Sequence, residues 1–197
     1  MARICVFCAS SLTIDPSYVE LASRVGAALA ARGHDLVSGG GSVSMMGAVA
    51  QAVRDGGRHT IGVIPQALLD REVADHDSDE LIVTPDMRSR KGRMDELADA
   101  FLTLPGGIGT LEELTEVWTA ASLGMHAKPV VVLDPTGLYA PLHELIRRLS
   151  DEGFLHDDAA SALVWTTGVD EAVAAIEQRL GDPAVTPTLT DQVESAP

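Results

Sequence analysis

The sequence predicts an α/β fold of the Rossmann-like type, in which one doubly wound parallel sheet carries helices on both faces. Apolar strand-like runs alternate with amphipathic helical runs along the chain. The first of these, over residues 3–8, is nearly continuous in apolar residues, as a strand buried on both faces should be. At 197 residues and 46% hydrophobic content, the chain fits a single domain with a sizeable core.

The elements follow from these runs and from the residues that punctuate them. The predicted strands span residues 3–8, 35–38, 60–64, 81–83, 100–103, 129–133 and 163–166. The predicted helices end near residues 31 and 54 in the first two units, then cover 87–98, a long run from Thr110, 139–152 and 170–180, with a short helix or loop over 66–72. Gly33 provides the first helix stop. From residue 182 to 197 the composition indicates a mobile tail, which leaves 1–181 as the domain.

The most informative stretch is LPGGIGTLEE, residues 104–113, which joins a strand end, a glycine turn and a helix start. Three glycines in four positions leave a bare backbone whose N–H groups can converge on an anion. The helix that follows adds the positive end of its dipole to the same spot. A phosphate suits this geometry best, and a tight turn without a ligand is the alternative.

Thr110 and Glu113 allow two interpretations. T-x-x-E before an apolar run is a capping box, in which the threonine side chain bonds the helix and the glutamate reaches back to the threonine N–H. Alternatively, Glu113 is a carboxylate beside a bound phosphate, where it acts on a reacting carbon or positions a water.

Net charge limits the ligands. The formal charge of −15 opposes binding to nucleic acid or to an anionic membrane. A local anion site is still plausible, because four of the fourteen basic residues lie within six positions: Arg88, Arg90, Lys91 and Arg93. Helical geometry separates Arg90 from Lys91 by about 100°, so one of them should face a ligand more directly. The alternative is a solvated basic face paired with Asp95 and Glu96.

Several classes of protein are disfavoured. The second glycine loop, GGGSVSMMG over residues 39–47, lacks the G-K-[S/T] ending of an NTPase loop and does not match the dinucleotide motif G-x-G-x-x-G. Cys5 and Cys8 should point to opposite faces of a strand, and neither they nor the scattered histidines have metal-ligand spacing, so no metal is expected. The N-terminal apolar run is too short for a signal peptide and no run is long enough to span a membrane, so a cytoplasmic protein is expected.

Five motifs together resemble the LONELY GUY (LOG) family of phosphoribohydrolases, over roughly residues 3–180. PGGIGTLEE resembles the family's P-G-G-x-G-T-x-x-E, and MRSRKGRM from residue 87 resembles M-H-x-R-K-x-x-M. CASS, GGGSVSMMG and GVIP are similar to further family elements. The chain departs from the family pattern at Ala9, Ser44, Met45 and Arg88. If position 44 needs a positive φ, Ser44 should be strained there.

The resemblance implies hydrolysis of the N-glycosidic bond of N6-substituted adenosine 5′-monophosphates, without cofactor or metal. It implies catalytic roles for Arg90 and Glu113. Substrate contacts are implied for Glu72, Arg90, Lys91, Gly107, Ile108, Gly109, Thr110, Leu111, Glu112, Glu113 and Thr119. Phosphate or ribose contacts are expected at Ser10, Gly40, Gly41 and Ser42, although Ser10 and Ser11 could equally cap their turn. A homodimer is the family expectation, and the apolar stripe Leu111, Leu114, Trp118, Ala121 and Met125 fits either core or a partner helix.

Three rival functions share some of these features. A non-catalytic nucleotide or cofactor carrier would keep the glycine loops and the basic residues. A general AMP nucleosidase would share the mechanism and differ in substrate. A pyridoxal-phosphate lysine decarboxylase needs a Schiff-base lysine, and the only lysines are Lys91 and Lys128.

Overall fold

The computed structural model describes residues 1–69 and 74–182. Within them, one sheet contains seven strands: β1 Arg3–Phe7, β2 Asp35–Ser38, β3 Thr60–Pro65, β4 Glu80–Thr84, β5 Ala100–Thr103, β6 Val130–Leu133 and β7 Leu163–Thr166. Eight helices accompany them in the same residues: α1 Pro16–Ala31, α2 Ser44–Asp55, α3 Gln66–Leu69, α4 Met87–Leu97, α5 Ile108–Ser122, α6 Ala140–Asp151, α7 Asp157–Ser161 and α8 Val169–Leu180. The predicted α/β architecture is therefore confirmed.

All strands are parallel, in the order β4-β3-β2-β1-β5-β6-β7. The chain builds outward in one direction from β1 to β4 and then restarts on the other side of β1 with β5, so the strand order switches between β1 and β5. In such sheets the crevice at the carboxyl ends of the strands next to the switch is the usual ligand site. Both glycine-rich turns leave from this edge, after β2 and after β5.

Helices cover both faces of the sheet, so each strand divides its side chains between two hydrophobic cores. One core packs α1, α2 and α8 against residues such as Ile4 and Leu102. The other packs α4, α5 and α6 against residues such as Val37 and Phe101. Cys5 belongs to the second core and Cys8 to the first, which confirms that the two thiols point to opposite faces.

Most predicted boundaries fall within two residues of the observed ones, and three strands, 35–38, 100–103 and 163–166, match outright. Gly33 does follow α1 with a φ of +77°. Two details differ: α5 begins at Ile108 rather than Thr110, and the short helix α7 was not predicted. The tail over 183–197 lies outside the described residues. In the described ranges, none of the helices is both long and apolar enough to cross a membrane.

Candidate active site

The glycine turn after β5 forms the start of α5. Gly107 is the residue that caps the helix, and it has no side chain to satisfy the first backbone N–H groups. Gly107, Ile108 and Gly109 are exposed at the positive end of the helix dipole. Thr110 is buried, and its side chain occupies the space that a Cβ on Gly106 would need.

The capping-box interpretation of Thr110 and Glu113 is therefore wrong. Thr110 is the third residue of α5 and not its cap, because the helix starts two residues earlier than predicted. Glu113 lies about one and a half turns into the helix, where its carboxylate faces Arg90 on α4. The carboxylate is thus free of a capping role.

Two backbone carbonyls, one in β3 and one directly after β2, hold the Arg90 side chain. Asp86 caps α4 by accepting a hydrogen bond from the Ser89 amide at 2.7 Å, which sets the start of the helix. Arg90 is only 8% exposed. Its Nε donates to the Val63 carbonyl at 3.1 Å, and its Nη2 donates to the Gly39 carbonyl at 3.2 Å. The guanidinium is fixed at the sheet edge rather than spread on the surface.

Glu113 is the carboxylate that Arg90 faces. Nη1 of Arg90 lies 3.7 Å from Oε1 of Glu113, whose side chain is 13% exposed. Burial raises the pKa of Glu113 to about 7, an effect that Arg90 opposes and that the neighbouring carboxylate of Glu112 reinforces. Glu113 therefore exchanges its proton near neutral pH, as a group with a general acid or base role requires.

Lys91 binds partners different from that of Arg90, which agrees with a separation of about 100° around α4. Its ammonium binds Glu112 and, at 2.7 Å, Glu116, both on α5. These carboxylates raise the pKa of Lys91, whereas a Schiff-base lysine needs a lowered one. The other lysine, Lys128, lies 2.6 Å from Asp95. Both lysines are ion-paired, so neither fits pyridoxal-phosphate chemistry.

The alternative for the basic cluster was a solvated face paired with Asp95 and Glu96, and Arg93 is the residue that makes such a pair. Arg93 pairs with Glu96 at 2.9 Å on the exposed side of α4. Asp95, in contrast, pairs with Lys128 from outside the cluster. Arg88 is exposed, and Arg90 is buried, so the cluster divides between surface and site.

A cleft of about 590 Å³ separates α4 from α5. Its floor is apolar and includes Phe101 and Val117, while Lys91, Glu113 and Thr119 contribute to its walls. Leu123 and Met125 lie at its far end. Glu113 and Thr119 therefore line one cleft, whereas Arg90 is not among its lining residues. The predicted substrate contact of Thr119 stays a prediction.

The apolar stripe of α5 contains both buried and exposed residues. Leu114 is fully buried, and Leu111, Trp118 and Ala121 pack partly buried against the core. The Trp118 Nε1 also donates to the Ala159 carbonyl at 2.7 Å. Met125 lies beyond the end of α5 and is 72% exposed. Leu114 therefore belongs to the core, three of the residues pack against it while partly exposed, and a partner helix stays a prediction.

The glycine loop after β2 approaches the same edge. Gly40 has a φ of +75° and its carbonyl accepts from the Asp75 amide at 2.9 Å, while Gly41 pairs with Ala74. Ser44 has a φ of 54°, as its place in a glycine position predicted. Ser10 is exposed beside this loop and Ser42 is half-buried. The predicted ligand contacts of these residues are not tested by their placement, and Glu72 lies outside the described residues.

Two contributors to the site were missed from the sequence. Gly39 supplies both the carbonyl and the space that Arg90 uses. Tyr139, at the start of α6, donates its hydroxyl to the Leu104 carbonyl at 3.1 Å and to the Gly106 carbonyl at 3.3 Å. Nothing in the sequence links a tyrosine more than thirty positions away to the glycine turn. Among residues 1–69 and 74–182, no three acidic, histidine or cysteine side chains group as a metal site.

The fold and the site define a Rossmann-like α/β protein. A helix N-terminus without a side-chain cap, a buried arginine and a largely buried glutamate share the switch-point edge of its sheet. The family described as "Possible lysine decarboxylase" matches residues 46–176. A cytokinin riboside 5′-monophosphate phosphoribohydrolase of Mycobacterium marinum is 51% identical over 172 residues, which cover 87% of this chain and 91% of the relative. The cytokinin riboside 5′-monophosphate phosphoribohydrolase LOG7 of Arabidopsis thaliana is 48% identical, over 89% of this chain and 81% of the length of LOG7. The chain therefore belongs to this family, the LOG family.

Solved structures agree on the fold. A molybdenum cofactor carrier protein from Chlamydomonas reinhardtii superposes with a TM-score of 0.71 at 23% identity, covering 92% of this chain and all but 1% of that chain. A molybdenum cofactor binding protein from Rippkaea orientalis gives a TM-score of 0.66 at 21% identity, over 90% of this chain and 96% of that one. At these identities the likeness shows a shared fold and carries no statement about ligand.

Proposed function

We propose that this chain hydrolyses the N-glycosidic bond of N6-substituted adenosine 5′-monophosphates and releases the free base and ribose 5-phosphate. Relatives that carry the name cytokinin riboside 5′-monophosphate phosphoribohydrolase, at 46–51% identity over most of the chain, support this substrate class. The observation that carries the proposal is the largely buried carboxylate of Glu113, on the helix that follows the glycine turn and 3.7 Å from Arg90.

Glu113 suits the charge that develops in this reaction. As the bond from C1′ to the base nitrogen breaks, positive charge accumulates on C1′ and on the ring oxygen. A carboxylate near that carbon stabilises the transition state more than the ground state, and a buried one does so in a medium of low dielectric constant. Water then adds its oxygen to C1′, and its proton balances the departing base. Glu113 either stabilises the charge directly or positions that water.

The 5′-phosphate fits the start of α5. The amides of Ile108, Gly109 and Thr110 precede the first helix hydrogen bond, which Leu111 donates to Gly107, and supply donors, while the helix dipole adds a positive potential. Arg90 contributes a full positive charge from the sheet edge. A guanidinium holds its proton firmly and is therefore a poor proton donor at neutral pH, so we assign Arg90 to charge stabilisation rather than to acid catalysis.

The cleft between α4 and α5 is the site that we propose for the base of the nucleotide. Glu113 and Thr119 both line it, together with apolar residues such as Phe101 and Val117. An N6-substituted base combines an aromatic ring with an apolar substituent, and such a ligand gains from an apolar floor with a few polar wall groups. Thr119 and the predicted Glu72 are the polar contacts that the family resemblance implies.

We further propose that the protein acts in the cytoplasm as a homodimer. Ile108 is 88% exposed beside the glycine turn, and Leu123 and Met125 expose large apolar side chains at the far end of the cleft. Apolar groups exposed around a site favour association with another protein surface. Sedimentation velocity should give the dimer mass for wild type and a smaller mass for Met125→Glu. A monomeric wild type at micromolar concentration would contradict the dimer, and fractionation of cells tests the compartment.

The proposed reaction is tested by base release from N6-isopentenyl-AMP and from AMP, followed by chromatography. Wild type should release base from the N6-substituted nucleotide, and Glu113→Gln should lose about two to four orders of magnitude, because it removes the charge and keeps the shape. Glu96→Gln is the matched control, since it removes a carboxylate on the exposed side of α4. Faster release from AMP would instead indicate a general AMP nucleosidase. Nucleotide binding without any release would overturn the proposal in favour of a carrier.

A further inference from the structure

Ser44 combines backbone strain with a hydrogen bond to another loop. Its φ of 54° lies in the left-handed region, and it is the one residue other than glycine with a positive φ in the part of the chain that the structure describes. A serine in this region is less stable than a glycine, so something must hold it there. Its Oγ donates to the Ser11 carbonyl at 2.6 Å. That bond joins the start of α2 to the loop that follows β1.

The loop after β1 is held at two points on either side of Ser10. The Ala9 amide donates to the carbonyl of Pro105, directly before the glycine turn, at 3.3 Å. The Ser11 carbonyl is held by Ser44. Ser11 also closes a small turn, because its Oγ accepts from the Thr13 amide at 3.3 Å. The Ser11 hydroxyl therefore has a local role in this turn.

Ser10 is the residue that these contacts leave available. It is exposed, and its hydroxyl makes no hydrogen bond to any residue in 1–69 or 74–182. It lies between the residue bonded to the β5 turn and the residue bonded to α2. Its position is thus determined by the loops on both sides of β1, at the edge where the phosphate and ribose of the substrate would lie.

We infer that Ser44 is a positioning residue: its hydroxyl holds the Ser11 carbonyl so that Ser10 faces the phosphate or ribose of the bound nucleotide. The strain at position 44 is the cost of placing a hydroxyl where a glycine would be relaxed. This inference rests on the proposed function, because the ligand of Ser10 is the ribose 5-phosphate part of that substrate. It adds a role for a residue at which the chain departs from the family pattern.

The test uses ribose 5-phosphate as the titrant, since it carries the phosphate and the ribose and is not consumed. Calorimetry should show about a fivefold weaker affinity for Ser44→Ala, the effect of losing one neutral hydrogen bond. Ser44→Gly should bind as weakly as Ser44→Ala, although it relieves the strain, because it also lacks the hydroxyl. Ser161→Ala, which removes a hydroxyl bonded to its own helix α7, should match wild type.

A double-mutant cycle separates positioning from general damage. If Ser44 acts through Ser10, Ser44→Ala should have no further effect on affinity in a Ser10→Ala background. With N6-isopentenyl-AMP as substrate, Ser44→Ala should raise KM and leave kcat nearly unchanged. Wild-type affinity in both Ser44 variants, or equal losses with and without Ser10, would overturn the inference. A wild type that binds ribose 5-phosphate but releases no base would contradict the proposed reaction alone, and the cycle would still decide the role of Ser44.

Discussion

The guanidinium of Arg90 occupies the space in which a side chain at Gly39 would begin. A Cβ built on Gly39 would overlap Nη2 of Arg90, the same nitrogen that donates to the Gly39 carbonyl at 3.2 Å. The backbone of Gly39 has no positive φ, so conformation alone would admit any residue there. The glycine is required because the arginine passes directly over the backbone. Two distant motifs, GGG and R-K, are thereby parts of one arrangement.

This relationship predicts the effect of Gly39→Ala. The added methyl group must displace Arg90, whose side chain has little free space, and overpacking of this kind costs about 1–3 kcal/mol of unfolding free energy. We expect base release to fall at least about tenfold, since Arg90 would no longer face Glu113 at the same distance. Thermal melting and the release assay measure the two effects. Gly168→Ala is the control, because a Cβ there meets only ordinary contacts. Wild-type activity in a folded Gly39→Ala variant would show that the position of Arg90 is not critical.

Glu113 should make the protein less stable as the pH rises. Its pKa is about 7 in the folded chain against 4.5 for an ordinary glutamate, so the folded state holds the extra proton between these values. Stability therefore falls as the pH rises from about 4.5 to 7, by about 3 kcal/mol for the full difference. Glu113→Gln mimics the neutral form, so it should unfold like wild type near pH 4.5 and be more stable by up to about 3 kcal/mol at pH 8. Urea unfolding of wild type and Glu113→Gln at pH 4.5 and at pH 8 measures this difference in stability. A variant that is less stable than wild type at pH 8 would show that the charged Glu113–Arg90 pair stabilises the fold.

The same titration should control catalysis. If the charged form of Glu113 is the active one, kcat/KM should rise with pH through about 7 and then level off. Glu116 raises the pKa of Glu113 and Lys91 lowers it. Glu116→Gln should therefore shift the rise of kcat/KM to lower pH, and Lys91→Gln should shift it to higher pH. A pH profile for wild type and both variants measures the shifts. A falling limb in wild type would mean that the protonated form of Glu113 is the active one.

The fold was predictable from the sequence because its signals are local. The strand over 100–103 is a continuous apolar run, and Gly33 ends a helix by its own backbone preference. The start of α5 was placed two residues late because T-x-x-E is a strong local signal for a cap. In the structure the helix starts at Ile108, and Thr110 packs against Gly106 from inside the first turn.

The residue types of the site were predictable, but their partners were not. Arg90 and Lys91 are adjacent in the sequence, and helical spacing separates their directions. Which of them faces Glu113 depends on Val63 and Gly39, which belong to two other strand–loop units. Lys91 was expected to contact an anionic ligand, and here it pairs with carboxylates of α5. Contacts between elements decide these assignments, and a single sequence does not encode them locally.

Tyr139 gives a final prediction, because it supports the glycine turn from beneath. The tyrosine is 4% exposed and its hydroxyl donates to the carbonyls of Leu104 and Gly106. Burial raises the pKa of Tyr139, so the hydroxyl keeps its proton and stays a donor at every pH of interest. Tyr139→Phe removes this donor alone. We expect a loss of about 1 kcal/mol in unfolding free energy and a several-fold weaker affinity for ribose 5-phosphate, since the turn that presents the α5 amides is less firmly held.

Tyr18→Phe is the matched control for this change, because it removes the other tyrosine hydroxyl of the chain. That hydroxyl lies 3.4 Å from Oγ1 of Thr136 in an exposed contact. Urea unfolding and calorimetry should therefore give nearly wild-type values for Tyr18→Phe. A Tyr139→Phe variant with reduced stability and unchanged affinity would place the tyrosine in the core alone. Reduced affinity without reduced stability would instead indicate that the hydroxyl orients the turn and adds little to the fold, since a hydrogen bond that only orders a loop contributes little to global unfolding.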